Sequence, residues 1–178
     1  MTRLDAEVAV VGAGPAGQAR ALALADGGYT VALVDAGSGP APACVQSDLR
    51  VFALSLASTR LLASLGVWPA PQAERVCAYR RMCVWQDDPS AALRFDAGEM
   101  GWSALGHIVE HGVLQHALAQ RVTAHDRIRC HWGAPVTGLA HEADAVTLGL
   151  DAGGSLRARL AVAADGASSP LRALTGLS

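Results

Sequence analysis

The sequence predicts an α/β fold built around a parallel sheet, and three observations near its start support this. Residues 7–11 (EVAVV) form a short, mostly β-branched run of the kind that is buried on both faces of a parallel sheet. A glycine-rich turn and an Ala/Leu-rich helical stretch follow, and that stretch ends at Asp26 before two glycines. Residues 29–34 are a second β-rich run, closed by Asp35. Strand, turn, helix and strand in this order form one βαβ unit.

The glycines of the turn have the spacing GxGxxG and predict a dinucleotide site. Gly12 permits a tight turn, Gly14 lets the backbone approach a pyrophosphate, and Gly17 lets the helix pack close to the strand. The helix N-terminus offers N–H groups to phosphates, and Asp35 can accept hydrogen bonds from ribose hydroxyls. Pro15 falls in the first helical turn, where a missing N–H costs little. The predicted cofactor-binding turn is Gly12, Ala13, Gly14, Pro15, Ala16 and Gly17.

The next segment departs from a simple NAD-type domain, which would continue with another βα unit. A loop rich in Pro, Gly and Ser at residues 37–42 leads instead into residues 48–55. A helix is predicted to follow, capped by Ser55 or Ser58 and carrying leucines on one side until Gly66.

Residues 76–105 alternate in the manner of strands, notably at 80–85 and 92–95, and predict a small β insertion. A helix is expected at residues 110–122, because its apolar residues share one face. Residues 127–131 are expected to form another parallel strand. The chain therefore returns to the sheet after the insertion.

Residues 134–163 predict three strands, joined at 141–144 and 151–154, and the second joint is predicted to be a hairpin turn. The last strand, 160–164, ends in an Asp-Gly pair at 165–166. Such a β-meander is typical of flavoproteins with two dinucleotide folds and not of a simple dehydrogenase.

The composition excludes several classes of function. With 178 residues, 51% hydrophobic and 17% charged, the chain is expected to be globular. Its formal net charge of -2 and scattered cations argue against a nucleic-acid partner. No signal peptide or membrane span is visible, so a cytoplasmic location is expected, with peripheral binding at the inner membrane as an alternative. The cysteines are expected to be reduced and mostly buried; they are Cys44, Cys77, Cys83 and Cys130.

The whole chain resembles the N-terminal part of the FAD-dependent aromatic-ring hydroxylases, the class A flavin monooxygenases. Within them it is most similar to the ubiquinone-biosynthesis hydroxylases, and its 79–118 stretch is similar to the 2-polyprenylphenol hydroxylase branch. The segments that carry this resemblance are VGAGPAG at 11–17, LRVFALSLASTRLLASLGVW at 49–68, YRRMCVW at 79–85, MGWSALGHIVEHGVLQHAL at 100–118 and AADGASSPLR at 163–172.

The resemblance implies cofactor contacts beyond the glycine turn. It implies that Arg50 reaches the phosphates or ribose of FAD, and that the backbone of Val136 pairs with the adenine. His111 stands where the family often has Asn, Gln or Arg in contact with the cofactor. Asp165 and Gly166 match an Asp-Gly motif that serves both FAD and the reduced nicotinamide. Arg172 is expected to support this motif by pairing with an acid.

The implied reaction is the hydroxylation of a polyprenylated phenol or quinol ring in ubiquinone biosynthesis, with NADPH or NADH and O2 as co-substrates. The flavin supplies the redox chemistry, so no protein side chain is assigned a catalytic role. The expected partners are the aromatic substrate and, as a further interpretation, a membrane surface or a biosynthetic complex.

The resemblance also implies a glutathione-reductase-type FAD-binding fold: a Rossmann-like parallel sheet with helices, a β-meander and a small β insertion. Residues 1–75 and 106–178 are predicted to form the FAD-binding domain, and residues 76–105 to begin the substrate domain. Family members are longer, so the chain is expected to be incomplete and to retain chiefly the ADP-binding half.

Two alternatives remain at this point. The sequence HIVEH at 107–111 fits the HxxEH pattern of a zinc peptidase, although β-branched Ile108 and Val109 favour a strand that enters a helix. The chain can also be read as a non-catalytic nucleotide-binding or partner-binding module.

Overall fold

The computed structural model describes residues 3–40, 48–68, 75–87 and 91–176. Within these ranges the helices are α1 (Pro15–Asp26), α2 (Leu56–Ser64), α3 (His111–Thr123) and α4 (Pro170–Leu174). The strands are β1 (Ala6–Val11), β2 (Val31–Val34), β3 (Val51–Ser55), β4 (Val76–Tyr79), β5 (Arg81–Val84), β6 (Leu93–Asp96), β7 (Gly106–Glu110), β8 (Ile128–His131), β9 (Val136–His141), β10 (Val146–Leu150) and β11 (Ser155–Ala163). They belong to two compact units, Met1–Ala41 with Leu118–Ser178, and Pro42–Ala117.

The first unit contains a six-stranded sheet in the order β8-β2-β1-β11-β10-β9. β8, β2, β1 and β11 pair in parallel, whereas β11, β10 and β9 form an antiparallel meander. The predicted βαβ unit, the parallel strand near residue 128 and the meander are all confirmed. In the register, Val11 of β1 lies opposite Val34 of β2 and Ala163 of β11. The carboxyl ends of three adjacent parallel strands therefore meet at one edge of the sheet.

Small and β-branched residues form the core of this unit. Ala9 and Ala32 are fully or almost fully buried on neighbouring strands, and Leu148 and Leu156 extend the core into the meander. The buried face of α1 carries Gly17, Ala21 and Ala25, whose small side chains let the helix approach the sheet closely. The Ala-rich composition of the predicted helix thus serves helix-on-sheet packing.

The second unit contains a three-stranded antiparallel sheet, β3-β7-β4, and a two-stranded sheet, β5-β6. Of the two predicted caps of α2, Ser55 is the one used, since its hydroxyl accepts a hydrogen bond from the Ser58 N–H at 3.2 Å. The predicted strands within 76–105 are present at β5 and β6. The assignment of 76–105 to a substrate domain stays a prediction.

The prediction that the cysteines are mostly buried is wrong for two of them. Cys77 and Cys83 are exposed, because β4 and β5 belong to small sheets with uncovered positions. Cys130 is half-buried, and this burial raises the pKa of its thiol. Cys44 lies outside the described residues. In the described part of the chain, no helix is both long enough and apolar enough to cross a membrane.

Candidate nucleotide-binding site

Two glycines of the turn between β1 and α1 are required by packing. Gly12 has a φ of +103°, and a Cβ there would lie 2.3 Å from the carbonyl oxygen of Ala164. A Cβ on Gly17 would lie 1.8 Å from the carbonyl oxygen of Gly12. Both positions therefore exclude any side chain, which agrees with the roles of tight turn and close helix packing predicted from their spacing.

Gly14 differs from its two neighbours because nothing within 4 Å would meet its Cβ. It is the N-cap of α1, with no side-chain cap, and Pro15 occupies the start of the helix. The first turn of a helix has N–H groups without intrahelical partners, and here no capping side chain satisfies them. The open space beside Gly14 and the uncapped helix end fit a pyrophosphate.

Asp35 is held by the backbone at the end of β2. Its Oδ2 accepts a hydrogen bond from the Ala13 N–H at 2.6 Å, and its Oδ1 accepts one from the Gly37 N–H at 2.7 Å. The first bond ties the end of β2 to the glycine turn. An ionised carboxylate has about four acceptor sites, so both oxygens retain capacity for ribose hydroxyls.

The Asp165-Gly166 turn follows β11 directly. The Ala164 N–H donates to the carbonyl oxygen of Val11 at 2.7 Å, which extends the parallel pairing to the start of this turn. Asp165 Oδ2 accepts the Leu171 N–H at 3.0 Å, and Gly166 has a φ of +87°. The carboxylate therefore binds the first turn of α4.

Among the described residues, Arg172 makes no ion pair with an acid, so the predicted contact is not found there. Its guanidinium donates instead to the carbonyl oxygen of Ala167 at 2.9 Å. The support for the Asp-Gly motif comes from the Leu171 N–H and from the Ser169 hydroxyl, which caps α4 by accepting the Arg172 N–H at 2.9 Å. Groups at the start of α4 therefore hold the Asp-Gly motif in place, where an ion pair with the Arg172 side chain was expected.

The first unit therefore brings three predicted elements together at the carboxyl ends of β1, β2 and β11: the glycine turn, Asp35 and the turn at 165–166. Ala13, Pro15 and Ala16 belong to this turn. Val136 opens β9, the outer strand of the meander, opposite Leu150, and it lies two residues after Ala134, whose N–H donates to the carbonyl oxygen of Asp35 at 2.9 Å. Its backbone lies on an edge strand of the sheet, and its pairing with the adenine stays a prediction.

Arg50 and His111 lie in the second unit, beside Asp48. The Asp48 carboxylate accepts the Arg50 N–H at 2.9 Å and lies 3.3 Å from Arg50 Nε and Nη2. The Arg50 backbone N–H, followed by its side chain, lowers the pKa of Asp48. His111 donates its backbone N–H to the Arg50 carbonyl at 2.9 Å, and its Nδ1 lies 3.7 Å from Asp48 Oδ2. The contacts of Arg50 and His111 with a cofactor stay predictions.

Glu110 links this cluster to Arg75. Arg75 Nε donates to Glu110 Oε1 at 2.8 Å, and its Nη2 donates to Oε2. Oε2 also accepts the Asp48 N–H at 2.7 Å. The hydrogen bond from Arg75 is the main cause that lowers the pKa of Glu110. The two side chains are only 16% and 17% exposed, so this is a largely shielded ion pair.

The same geometry removes the basis of the zinc alternative. His107 and Glu110 lie on β7, whereas His111 begins α3, so the two histidines do not share a helical face. Glu110 is bound to Arg75 and is not placed to act as a base. In the described ranges no group of three or more His, Cys, Asp or Glu residues could hold a metal ion.

Sequence reasoning missed several polar residues near the predicted ones. Gln18 is 1% exposed in the apolar helix α1, and its Nε2 donates to the Ala13 carbonyl at 2.7 Å. A polar residue directly after Gly17 in an Ala/Leu helix was a visible signal. Asp48, Arg75 and Glu110 gave no such signal, because their contacts join positions far apart in the chain.

Comparison with known protein families gives one match over nearly the whole chain. The family model described as FAD binding domain matches residues 5–178. Solved structures give the same fold: p-nitrophenol 4-monooxygenase PnpA from Pseudomonas putida DLL-E4 superposes with a TM-score of 0.77 at 23% identity, over 100% of this chain and 45% of that one.

Curated proteins give closer matches in sequence. The chain is 40% identical over 178 residues to the 3-demethoxyubiquinol 3-hydroxylase of Escherichia coli (strain K12), covering 99% of this chain and 45% of that protein. It is 31% identical over 172 residues to the ubiquinone hydroxylase UbiL of Rhodospirillum rubrum, covering 97% of this chain and 40% of that protein. The chain thus spans less than half the length of these two relatives.

Proposed function

The chain belongs to the FAD binding domain family, and from that premise we propose that it holds the ADP portion of FAD for a ring-hydroxylating monooxygenase. The substrate we propose is a polyprenylated phenol or quinol of ubiquinone biosynthesis, with NAD(P)H and O2 as co-substrates. The resemblance predicted from the sequence is confirmed, since the curated relatives include ubiquinone-biosynthesis hydroxylases. FAD is likewise confirmed as the cofactor of the family.

One observation carries the proposal for the cofactor. The open space beside Gly14 lies at an uncapped helix N-terminus, and Asp35 and the turn at 165–166 lie on the adjoining strand ends. A helix N-terminus attracts phosphate through its N–H groups and its dipole. Asp35 has acceptor capacity for the ribose hydroxyls. The residues present thus fit the pyrophosphate and adenosine of FAD.

When bound, FAD would supply the redox chemistry of the reaction, which would consume NAD(P)H, a proton and O2, place one oxygen atom on the ring and release the other as water. The described residues of this chain bind and orient the ADP end. The proposal for the ring substrate comes from the curated relatives, which are a 3-demethoxyubiquinol 3-hydroxylase and a ubiquinone hydroxylase.

A titration of the unsubstituted chain with FAD, ADP and FMN tests the nucleotide proposal. We expect FAD and ADP to bind in competition, because both carry the ADP portion, and FMN to bind much more weakly. Equal binding of FMN and FAD, or no binding of ADP, would contradict it. NADPH-dependent O2 uptake by the protein, with a prenylated phenol as substrate, tests the proposed reaction.

The proposed partners follow from this substrate. A polyprenyl tail partitions into lipid, so we propose peripheral association with the inner membrane from the cytoplasmic side, or with a complex of biosynthetic enzymes. Sedimentation of the protein with vesicles that contain ubiquinone is the direct measurement.

A second candidate, a module that binds a partner protein, is favoured by one observation. Met82, Val84, Leu93 and Phe95 share one face of the β5-β6 sheet, and each is between 43% and 64% exposed. Apolar faces of this kind are usually covered in the functional assembly. Size-exclusion chromatography separates the candidates: a stable oligomer without affinity for FAD would favour the partner-binding module.

A further inference from the structure

Gln18 is a buried amide in α1, a helix whose other buried residues are glycine, alanine and leucine. It is only 1% exposed, and its Nε2 donates to the carbonyl oxygen of Ala13 at 2.7 Å. Its Oε1 is also buried, and no group in the described part of the chain donates to it. A buried acceptor without a donor costs stability. Packing alone therefore does not account for an amide at this position.

The hydrogen bond from Gln18 fixes the direction of one peptide group in the glycine turn. The Ala13 carbonyl and the Gly14 N–H belong to the same peptide unit, and in a planar trans peptide these two groups point in opposite directions. Gln18 holds the carbonyl toward the buried face of α1, so the Gly14 N–H is directed away from that face. The Ala13 N–H is held as well, since it donates to Asp35 Oδ2 at 2.6 Å.

The Gly14 N–H is suited to bind an anion. Within the described ranges it donates to no protein acceptor, and a Cβ on Gly14 would meet no atom within 4 Å. Pro15, which follows, has no N–H to offer. The start of α1 therefore has one donor fewer than an ordinary helix, and the direction of the Gly14 N–H matters more for a phosphate bound there.

We propose that Gln18 is a positioning residue that holds the Ala13–Gly14 peptide with the Gly14 N–H directed at the pyrophosphate of FAD. The inference rests on the proposed function, and all of these residues lie in the first unit. A donor that is fixed before the ligand arrives loses less conformational freedom on binding. The unpartnered Oε1 is then a cost in stability that is retained because the amide serves cofactor binding.

The first test is Gln18→Met in the full chain, with FAD affinity measured by calorimetry. Methionine has a similar length and fills the same space, but it cannot donate to Ala13. We expect the Kd for FAD to rise about fivefold or more. The thermal midpoint should change by less than about 4 °C, because one hydrogen bond and one unpartnered acceptor are removed together. Gln120→Met is the matched control: it makes the same change at an exposed position of the same unit and should leave the Kd unchanged.

The amide of Gly14 gives a measurement that a purely structural role of Gln18 would not alter. In amide NMR spectra of the unsubstituted chain, ADP should shift the Gly14 N–H resonance downfield and slow its hydrogen exchange. Both changes should be much smaller in Gln18→Met. In a double variant with Gly14→Ala, whose methyl group takes the place of the pyrophosphate, Gln18→Met should weaken FAD binding no more than about twofold further.

Gln18→Leu replaces Gln18→Met if the latter fails to fold, as judged by its thermal midpoint. Retained FAD affinity, an unchanged response of the Gly14 amide to ADP, or additive effects in the double variant would each overturn the inference. Unfolding of both variants would also overturn it, because Gln18 would then serve stability. If the unsubstituted chain binds neither FAD nor ADP, the proposed function itself fails.

Discussion

The substitution Gly14→Ala should separate cofactor binding from folding. Gly14 has a φ of −67° and a ψ of 174°, a region open to any residue, and an added Cβ would meet no atom within 4 Å. Alanine is a poorer N-cap than glycine, by a few tenths of a kcal/mol to about 1 kcal/mol, whereas the lower entropy of the unfolded chain stabilises by about 0.4–1 kcal/mol. The free energy of unfolding should therefore change by less than about 1 kcal/mol.

FAD affinity should respond much more strongly to the same methyl group. If the pyrophosphate lies against Gly14, the methyl occupies its place and one hydrogen bond from a backbone N–H group is lost. A hydrogen bond to a charged group contributes about 1.5–3 kcal/mol, and each 1.4 kcal/mol is about tenfold in Kd. We expect the Kd for FAD to rise about 10- to 100-fold.

The measurements are a urea unfolding curve and a calorimetric FAD titration for each variant. Gly154→Ala is the matched control, since Gly154 has a φ of −76° and its Cβ would make only an ordinary contact, 3.7 Å from Leu150 Cβ. Its FAD affinity should not change, and its free energy of unfolding should rise by no more than about 1 kcal/mol. Gly17→Ala should instead lower the free energy of unfolding by about 3 kcal/mol or more, because its Cβ would lie 1.8 Å from a backbone oxygen. An unchanged Kd for Gly14→Ala would refute the placement of the pyrophosphate.

Three further predictions concern stability and reactivity. Ser55→Ala removes the N-cap of α2 and should lower the free energy of unfolding by about 1 kcal/mol, measured by urea denaturation, with Ser64→Ala as a control near the other end of the helix. The hydrogen bond from Arg157 is the main cause that lowers the pKa of Glu142 below 4.5. The resulting stabilisation is present above about pH 4.5 and is lost as the pH falls through the folded pKa. As the pH is lowered, the urea midpoint should therefore fall more steeply for the unsubstituted chain than for Glu142→Gln. An equal dependence of the urea midpoint on pH in the two proteins would argue against the Arg157 contact. Cys77 and Cys83 should react with a thiol reagent in the folded protein well before Cys130, because burial raises the pKa of the Cys130 thiol. Peptide mass spectrometry measures the order in which the three thiols are modified, and earlier modification of Cys130 would contradict the prediction.

The features that the sequence predicted well depend on neighbours in the chain. The glycine turn, α1 and β2 follow from spacing and side-chain type within residues 7–35, and the meander follows from alternation broken at two turns. The cap at Ser55 could not be chosen over Ser58, because the sequence offers two hydroxyls three residues apart and only the direction of the preceding strand decides between them.

The features that the sequence did not predict depend on long-range pairing. Asp48 and Glu110 are 62 positions apart, and Arg75 and Glu110 are 35 apart. Their contact requires β3 to pair with β7 in one register, which no local pattern specifies. The same reason explains the error for the exposed cysteines, since the exposure of a residue in a strand is decided by what covers that face of the sheet.

Asp35 shows why the glycine substitution tests the site better than the more obvious acid. The sequence argument assigns the carboxylate to ribose, but in the structure both oxygens already accept backbone N–H groups, from Ala13 and Gly37. Asp35→Asn would place an NH2 group against one of these donors, so it would disturb the glycine turn as well as any ribose contact. A loss of FAD affinity in Asp35→Asn would therefore follow whether or not the ribose binds there. Gly14→Ala leaves these bonds intact and changes only the space in front of the helix, so its effect on affinity reports the ligand alone.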